Sequence, residues 1–112
     1  MISSRIEKDI AIASITDNIK LNVLNAEEIK NALTLMLRDY DKLILNLKDV
    51  IFIDSTGFGT LITIFKRARE NDKEFKICNI SPEAMELLKI TKLDNVFEIY
   101  DTLEDCIASF SS

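Results

Sequence analysis

The spacing of apolar and polar residues changes several times along the chain, and each change marks an element. Residues 1–15 read as two short strands. In the second, Ile10, Ile12 and Ser14 alternate with Ala11, Ala13 and Ile15. Both sets are largely apolar, which predicts a strand covered on both faces. Asp17-Asn18 then makes a polar turn. From about Asn25 to Asp39 the period becomes helical, with Ala26, Ile29, Ala32, Leu33, Met36 and Leu37 on one stripe. Asn25 is the expected N-cap, and Glu27 and Glu28 lie in the first turn, where carboxylates complement the helix dipole.

Lys42 to Leu47 reads as a strand, and Val50-Ile51-Phe52-Ile53 as a second apolar run after the Lys48-Asp49 break. A second helix is expected from Ser55 to about Asn71. Phe58, Leu61, Ile62, Phe65 and Ala68 form its core stripe, and Lys66, Arg67 and Arg69 occupy its last turns. Glu74 to Ile80 reads as a strand. Ser81-Pro82 opens a third helix, with the N-cap followed by proline at the first helical position. Phe97 to Tyr100 is a last strand. Thr102 with Asp105 resembles a capping box for a terminal helix whose stripe is Leu103, Cys106, Ile107 and Phe110. The alternation predicts an α/β domain over residues 1–112, with a central mixed sheet of four to five strands, one antiparallel edge and about four helices.

One segment does not read as scaffold. Asp54-Ser55-Thr56-Gly57-Phe58-Gly59 joins an apolar strand to an amphipathic helix and holds both glycines of the chain. Glycine in a helix costs about 1 kcal/mol relative to alanine. Two in one turn suggest that something approaches the backbone closely or that the turn needs unusual dihedrals. On that basis Gly57→Ala is expected to impair partner contact more than folding. A helix N-terminus exposes unpaired N–H groups and partial positive charge, so a hydroxyl there serves either as a cap or as the acceptor of a phosphate. Ser55 and Thr56 both qualify on position alone.

Three other motifs fail on the same residues. A dinucleotide fingerprint needs a small residue where Ile62 stands, and a P-loop needs a Gly-Lys-Ser/Thr ending. A hydrolase elbow needs glycine at Ile53 and a histidine, and the chain has no histidine. His-based catalysis and His metal ligation are thereby excluded. No convergent ionisable groups flank the turn, so the chain is read as a non-enzyme with no cofactor and no metal.

Composition narrows the partners. With 14 Lys and Arg against 19 Asp and Glu, the net charge is −5. Nucleic acid and anionic membrane surfaces both select clustered cations, and neither is expected as a partner. No apolar run approaches the ~20 residues of a membrane span. The N-terminus is charged from Arg5 onward, unlike a signal peptide. Cys78 and Cys106 stand in separate stretches without metal-ligand spacing and read as reduced core thiols, which fits a cytoplasmic protein, while the acidic surface and the lack of long apolar edges favour a monomer.

Leu45-Asn46-Leu47-Lys48-Asp49-Val50 followed by Ile53-Asp54-Ser55-Thr56-Gly57-Phe58-Gly59 resembles the signature of bacterial anti-sigma factor antagonists, members of the STAS domain family. The likeness continues through Phe75 to Pro82 and Leu87 to Leu93. It implies a partner-switching cycle. The unphosphorylated antagonist binds an anti-sigma factor that is itself a small ATP-dependent serine kinase. That kinase phosphorylates the hydroxyl after the motif Asp, here Ser55 with Thr56 as fallback, and a serine phosphatase reverses the step. Asp54, Ser55, Thr56, Gly57, Phe58 and Gly59, with Asp17 and Asn18, are the implied partner-binding residues. The other reading within the family is a STAS interaction subunit or scaffold, for instance transporter-associated, that is never phosphorylated. The chain departs from the family pattern at Asp17-Asn18-Ile19-Lys20, at Asp72-Lys73 and at Thr91-Lys92-Leu93, where glycine is frequent.

Overall fold

A computed structural model describes residues 2–110. Strands β1 (Ile2–Glu7) and β2 (Ile10–Ile15) form an antiparallel hairpin. A two-residue strand, β3 (Lys20–Leu21), precedes helix α1 (Ala26–Asp39). Then come β4 (Lys42–Asn46), a second two-residue strand β5 (Phe52–Ile53), α2 (Ser55–Glu70) and β6 (Glu74–Cys78). Helix α3 (Pro82–Ile90), a 3-10 turn (Leu93–Asn95), β7 (Glu98–Tyr100) and α4 (Leu103–Ser109) follow.

The main sheet has five strands in the order β1-β2-β4-β6-β7, parallel except for the β1–β2 edge. This is the expected mixed α/β sheet. The period-two alternation of β2 separates two cores. Ala11, Ala13 and Ile15 join Leu43, Leu45, Phe75 and Ile77 beneath α1, α2 and α3. On the other face Ile10, Ile12, Ile44 and Cys78 pack under α4 through Cys106 and Ile107.

The Ser81 hydroxyl accepts from Ala84 N at 3.1 Å and Thr102 Oγ1 accepts from Asp105 N at 3.1 Å, so both helices are capped as expected. Asn25 differs. It sits at the N-cap position of α1 without capping it. Its amide donates to Lys20 O at 2.8 Å and its carbonyl accepts from Asn22 N at 2.9 Å, which ties down the loop before the helix. The pair β3–β5 was not anticipated, because two residues are too few to show a period. Lys20 pairs with Phe52 and Leu21 with Ile53, in a small parallel sheet of its own.

The core face of α2 is also rotated from the expected stripe. Gly57, Thr60, Leu61, Ile64 and Ala68 are buried. Phe58, Ile62 and Phe65 are only half-buried. Phe65 instead meets Phe97 edge-on, with ring centroids 5.7 Å apart at 81°.

The departures from the family pattern coincide with backbone geometry. Asp17 (φ 62°), Asp72 (φ 57°) and Lys92 (φ 62°) are all left-handed, although none is glycine. Aspartate tolerates this region through local hydrogen bonding, whereas lysine has no such compensation. Lys92→Gly is therefore expected to stabilise the protein by about 0.5–1 kcal/mol in urea unfolding. An unchanged or lower midpoint would show that Lys92 is not strained.

Candidate functional site

The strand-to-helix junction is built from β3, β5 and the first turn of α2. Asp54 N donates to Leu21 O at 3.2 Å, which extends the small sheet by one rung. Beyond Asp54 the chain turns into α2, and the Asp54 side chain is the cap. Its Oδ1 accepts from Gly57 N at 2.8 Å. The other oxygen, Oδ2, accepts from Val23 N at 3.3 Å in the loop between β3 and α1. One carboxylate thus binds the helix start to the neighbouring loop.

With Asp54 as cap, neither Ser55 nor Thr56 is needed for that role. Ser55 is the first residue of α2 and is exposed, as is Thr56. Among the described residues, no hydrogen bond engages the Ser55 hydroxyl. It stands in solvent at the positive end of a 16-residue helix. A phosphate there would face unpaired backbone N–H groups, with the adjacent Asp54 carboxylate as an opposing charge.

The two glycines do different work. A Cβ on Gly57 would lie 2.4 Å from Leu21 O and 2.7 Å from Ile53 Cγ2. These distances lie inside van der Waals contact with a backbone atom that β3 pairing holds in place. Gly57 is buried, so it is a requirement of the fold, contrary to the expectation of a mainly partner-facing role. A Cβ on Gly59 meets nothing within 4 Å, and this glycine is exposed. Phe58, the residue between them, is half-buried against the main core.

Asp17 and Asn18 do not meet Ser55. They line a cleft of about 580 Å³ with Ile19, Lys20, Asn22 and Leu24, and no α2 residue contributes to it. Sequence reading missed the apolar surface between the two regions. Val23 is 67% exposed, Leu24 90% and Phe52 50%. Phe52 also borders a cavity of about 410 Å³ with Lys20, Asn22, Ile53 and Asp54. The available signal was that Val23 and Leu24 fall outside the α1 stripe while no strand period claims them.

The contrast between the glycines sets a direct test. Gly57→Ala is expected to destabilise by about 2 kcal/mol or more, because helix or strand must shift to admit the methyl group. Gly59→Ala is expected to be neutral or stabilising by up to about 1 kcal/mol, as for an open helical site. Chemical denaturation of both variants measures the pair. Equal effects would contradict the close approach of α2 to Leu21.

Comparison with known proteins fits this geometry. The STAS domain family model matches residues 2–106. The anti-sigma-B factor antagonist of Staphylococcus aureus is 31% identical over 86 residues, covering 76% of this chain and 80% of that protein. Among solved structures, an anti-sigma-factor antagonist (STAS) domain protein from Planctomyces limnophilus superposes with a TM-score of 0.91. It is 23% identical and covers 99% of this chain and 98% of its own. The Bacillus cell fate determinant SpoIIAA, solved in its phosphorylated form, shares the fold at a TM-score of 0.73. Its identity is 15%, over 98% of this chain and 99% of that one. Sequence match, fold and junction agree: the chain belongs to the STAS domain family, among the anti-sigma factor antagonists.

Proposed function

We propose that this chain is a phosphorylatable partner-switching module, one STAS domain over residues 1–112, with Ser55 as its phosphoacceptor. Unphosphorylated, it binds an anti-sigma factor that is also an ATP-dependent serine kinase. Phosphorylation of Ser55 releases that partner, and a serine phosphatase restores binding. The observation that carries this reading is the exposed Ser55 hydroxyl at the start of α2, left unengaged because Asp54 supplies the cap. A hydroxyl that serves stability would be bonded; this one is exposed and available for chemistry.

The switch follows from charge and size. Phosphorylation adds about −1.5 to −2 charges beside Asp54. A partner surface that fits a hydroxyl and the neighbouring Val23 and Leu24 side chains would meet a hydrated dianion instead. A few kcal/mol of mismatch changes affinity a hundredfold or more. Within the free protein the helix N-terminus favours the added charge, so the modified chain stays folded. The phosphorylated form of SpoIIAA supports such a cycle for a protein of this fold. Asp54 and Gly57 position the acceptor, Gly59 and Thr56 flank it on the exposed helix surface, and Asp17 and Asn18 contribute through the adjoining cleft. The site lies in a chain with no helix long and apolar enough to cross a membrane among the described residues.

Pull-down from the source organism's lysate tests the reading with wild-type, Ser55→Ala and Ser55→Asp baits. Wild type and Ser55→Ala are expected to recover a small ATP-binding kinase, and Ser55→Asp is not. Equal recovery by all three would mean a constitutive interaction subunit. Leu24→Ser is expected to reduce recovery at least about tenfold without changing the unfolding midpoint, because its side chain is almost wholly in solvent. Undiminished recovery would remove the loop from the interface.

A further inference from the structure

The far end of α2 carries a group of cations that partner switching does not use. Helices α1 and α2 pack against each other, and a cleft of about 350 Å³ opens between their C-terminal ends. Thr34, Leu37 and Arg38 of α1 line it, with Arg67 of α2 and with Asn71 and Lys73 from the turn into β6. Pockets for small molecules run from roughly 300 to 1,000 Å³, so the cleft is of ligand size. Arg38, Arg67 and Lys73 are cationic and no lining residue is acidic, on a chain whose net charge is −5. Arg67 stands twelve positions after Ser55, about 18 Å along the helix, which separates the cleft from the junction.

Basic residues near a helix C-terminus offset the dipole, and that alone accounts for cations at these ends. The hydrogen bonds go further, because other groups already bond the carbonyls there. Lys73 Nζ donates to Leu37 O and, at 3.4 Å, to Arg38 O. Tyr40 N donates to Met36 O at 3.0 Å. Asn71 Nδ2 donates to Arg67 O at 2.7 Å, and Asn71 N and Lys73 N donate to Ala68 O at 3.2 and 2.8 Å. Neither guanidinium takes part in this capping.

Arg67 is held for another purpose. Its Nη1 donates to Thr34 Oγ1 at 2.6 Å across the helix pair, and Thr34 Oγ1 itself donates to Lys30 O at 2.7 Å. That fixes the guanidinium at the cleft and leaves its other N–H donors unengaged. Among the described residues, neither Arg38 nor Arg67 has a carboxylate within ion-pair distance. Asp41, whose mostly exposed side chain lies 3.8 Å from Lys73 Nζ, is the acidic group that touches the cluster.

Three like charges around one cleft repel each other, and one exposed carboxylate offsets only part of that repulsion. A ligand with two or more negative charges completes the balance, whereas a single carboxylate would leave positive charge over. Guanidinium forks take phosphate oxygens in pairs, and lysine adds a point charge. The cations surround a compact cleft and form no stripe along the surface, which fits a small molecule better than a nucleic acid backbone. We propose that this cleft binds a small phosphate-bearing molecule, with Arg38 and Arg67 gripping the phosphate oxygens and Lys73 supplying charge from the more buried side. Thr34 is a positioning residue that sets the Arg67 fork.

The test titrates the full, isotope-labelled chain with inorganic pyrophosphate at constant ionic strength and follows the amides by NMR. Saturable shifts are expected at Arg38, Arg67, Asn71 and Lys73, with a Kd of about 1 mM or tighter. Arg38→Gln and Arg67→Gln are each expected to weaken binding about tenfold while keeping the wild-type unfolding midpoint. Thr34→Val is expected to weaken it about threefold and Thr34→Ser to restore it. Lys89→Gln, outside the cleft, leaves binding unchanged. Shifts that follow ionic strength alone or spread over all surface cations would overturn the proposal, as would binding that survives both arginine substitutions. A response to tetraglutamate with none to pyrophosphate would assign the cleft to an acidic protein segment and overturn it equally.

Discussion

The position of the phosphoacceptor candidate depends on one close approach, that of α2 to the Leu21 carbonyl beneath Gly57. Only a residue without a side chain lets the helix descend that far. Once it has, the Asp54 carboxylate reaches both the Gly57 and the Val23 amides, and the helix start, β3 and the loop before α1 become one unit. The same descent turns Thr60 and Ile64 toward the core and leaves Phe58, Ile62 and Phe65 at its margin. A two-residue sheet of β3 and β5 therefore has influence out of proportion to its length, since it supplies the carbonyl against which the helix is seated.

The junction divides its labour between stability and chemistry. Asp54 caps, Gly57 seats, and Ser55 does neither. A residue released from structural duty is free to carry a charge that changes with the state of the cell.

Much of the architecture was legible in the sequence because its signals are local. The double-sided apolar run of β2, the Ser81-Pro82 start of α3 and the Thr102 cap of α4 each rest on a few neighbouring residues. What stayed hidden depends on contacts between distant segments. Gly57 carries no mark that says which backbone lies above it, and its stripe neighbours Phe58 and Phe65 are apolar enough to pass for core. Asn25 has the composition of a cap, but an amide that reaches Lys20 and Asn22 is decided by the path of the loop. The motif located the candidate site, yet the exposed Val23 and Leu24 beside it follow only from the Asp54 bridge. The two cysteines, 28 positions apart, share one buried cluster only because α4 folds back across the sheet.

The placement of α4 also sets the order in which the chain is protected during synthesis. Every strand that α4 covers is made before it, so Ile10, Ile12 and Ile44 form an apolar surface with no lid until residue 109 has left the ribosome. Three helices already shield the other face by then. Without α4 the domain would keep one covered core and one bare sheet face, the kind of surface that chaperones hold and that associates at high concentration. The last helix of the described chain spans only seven residues, but it ends that exposure.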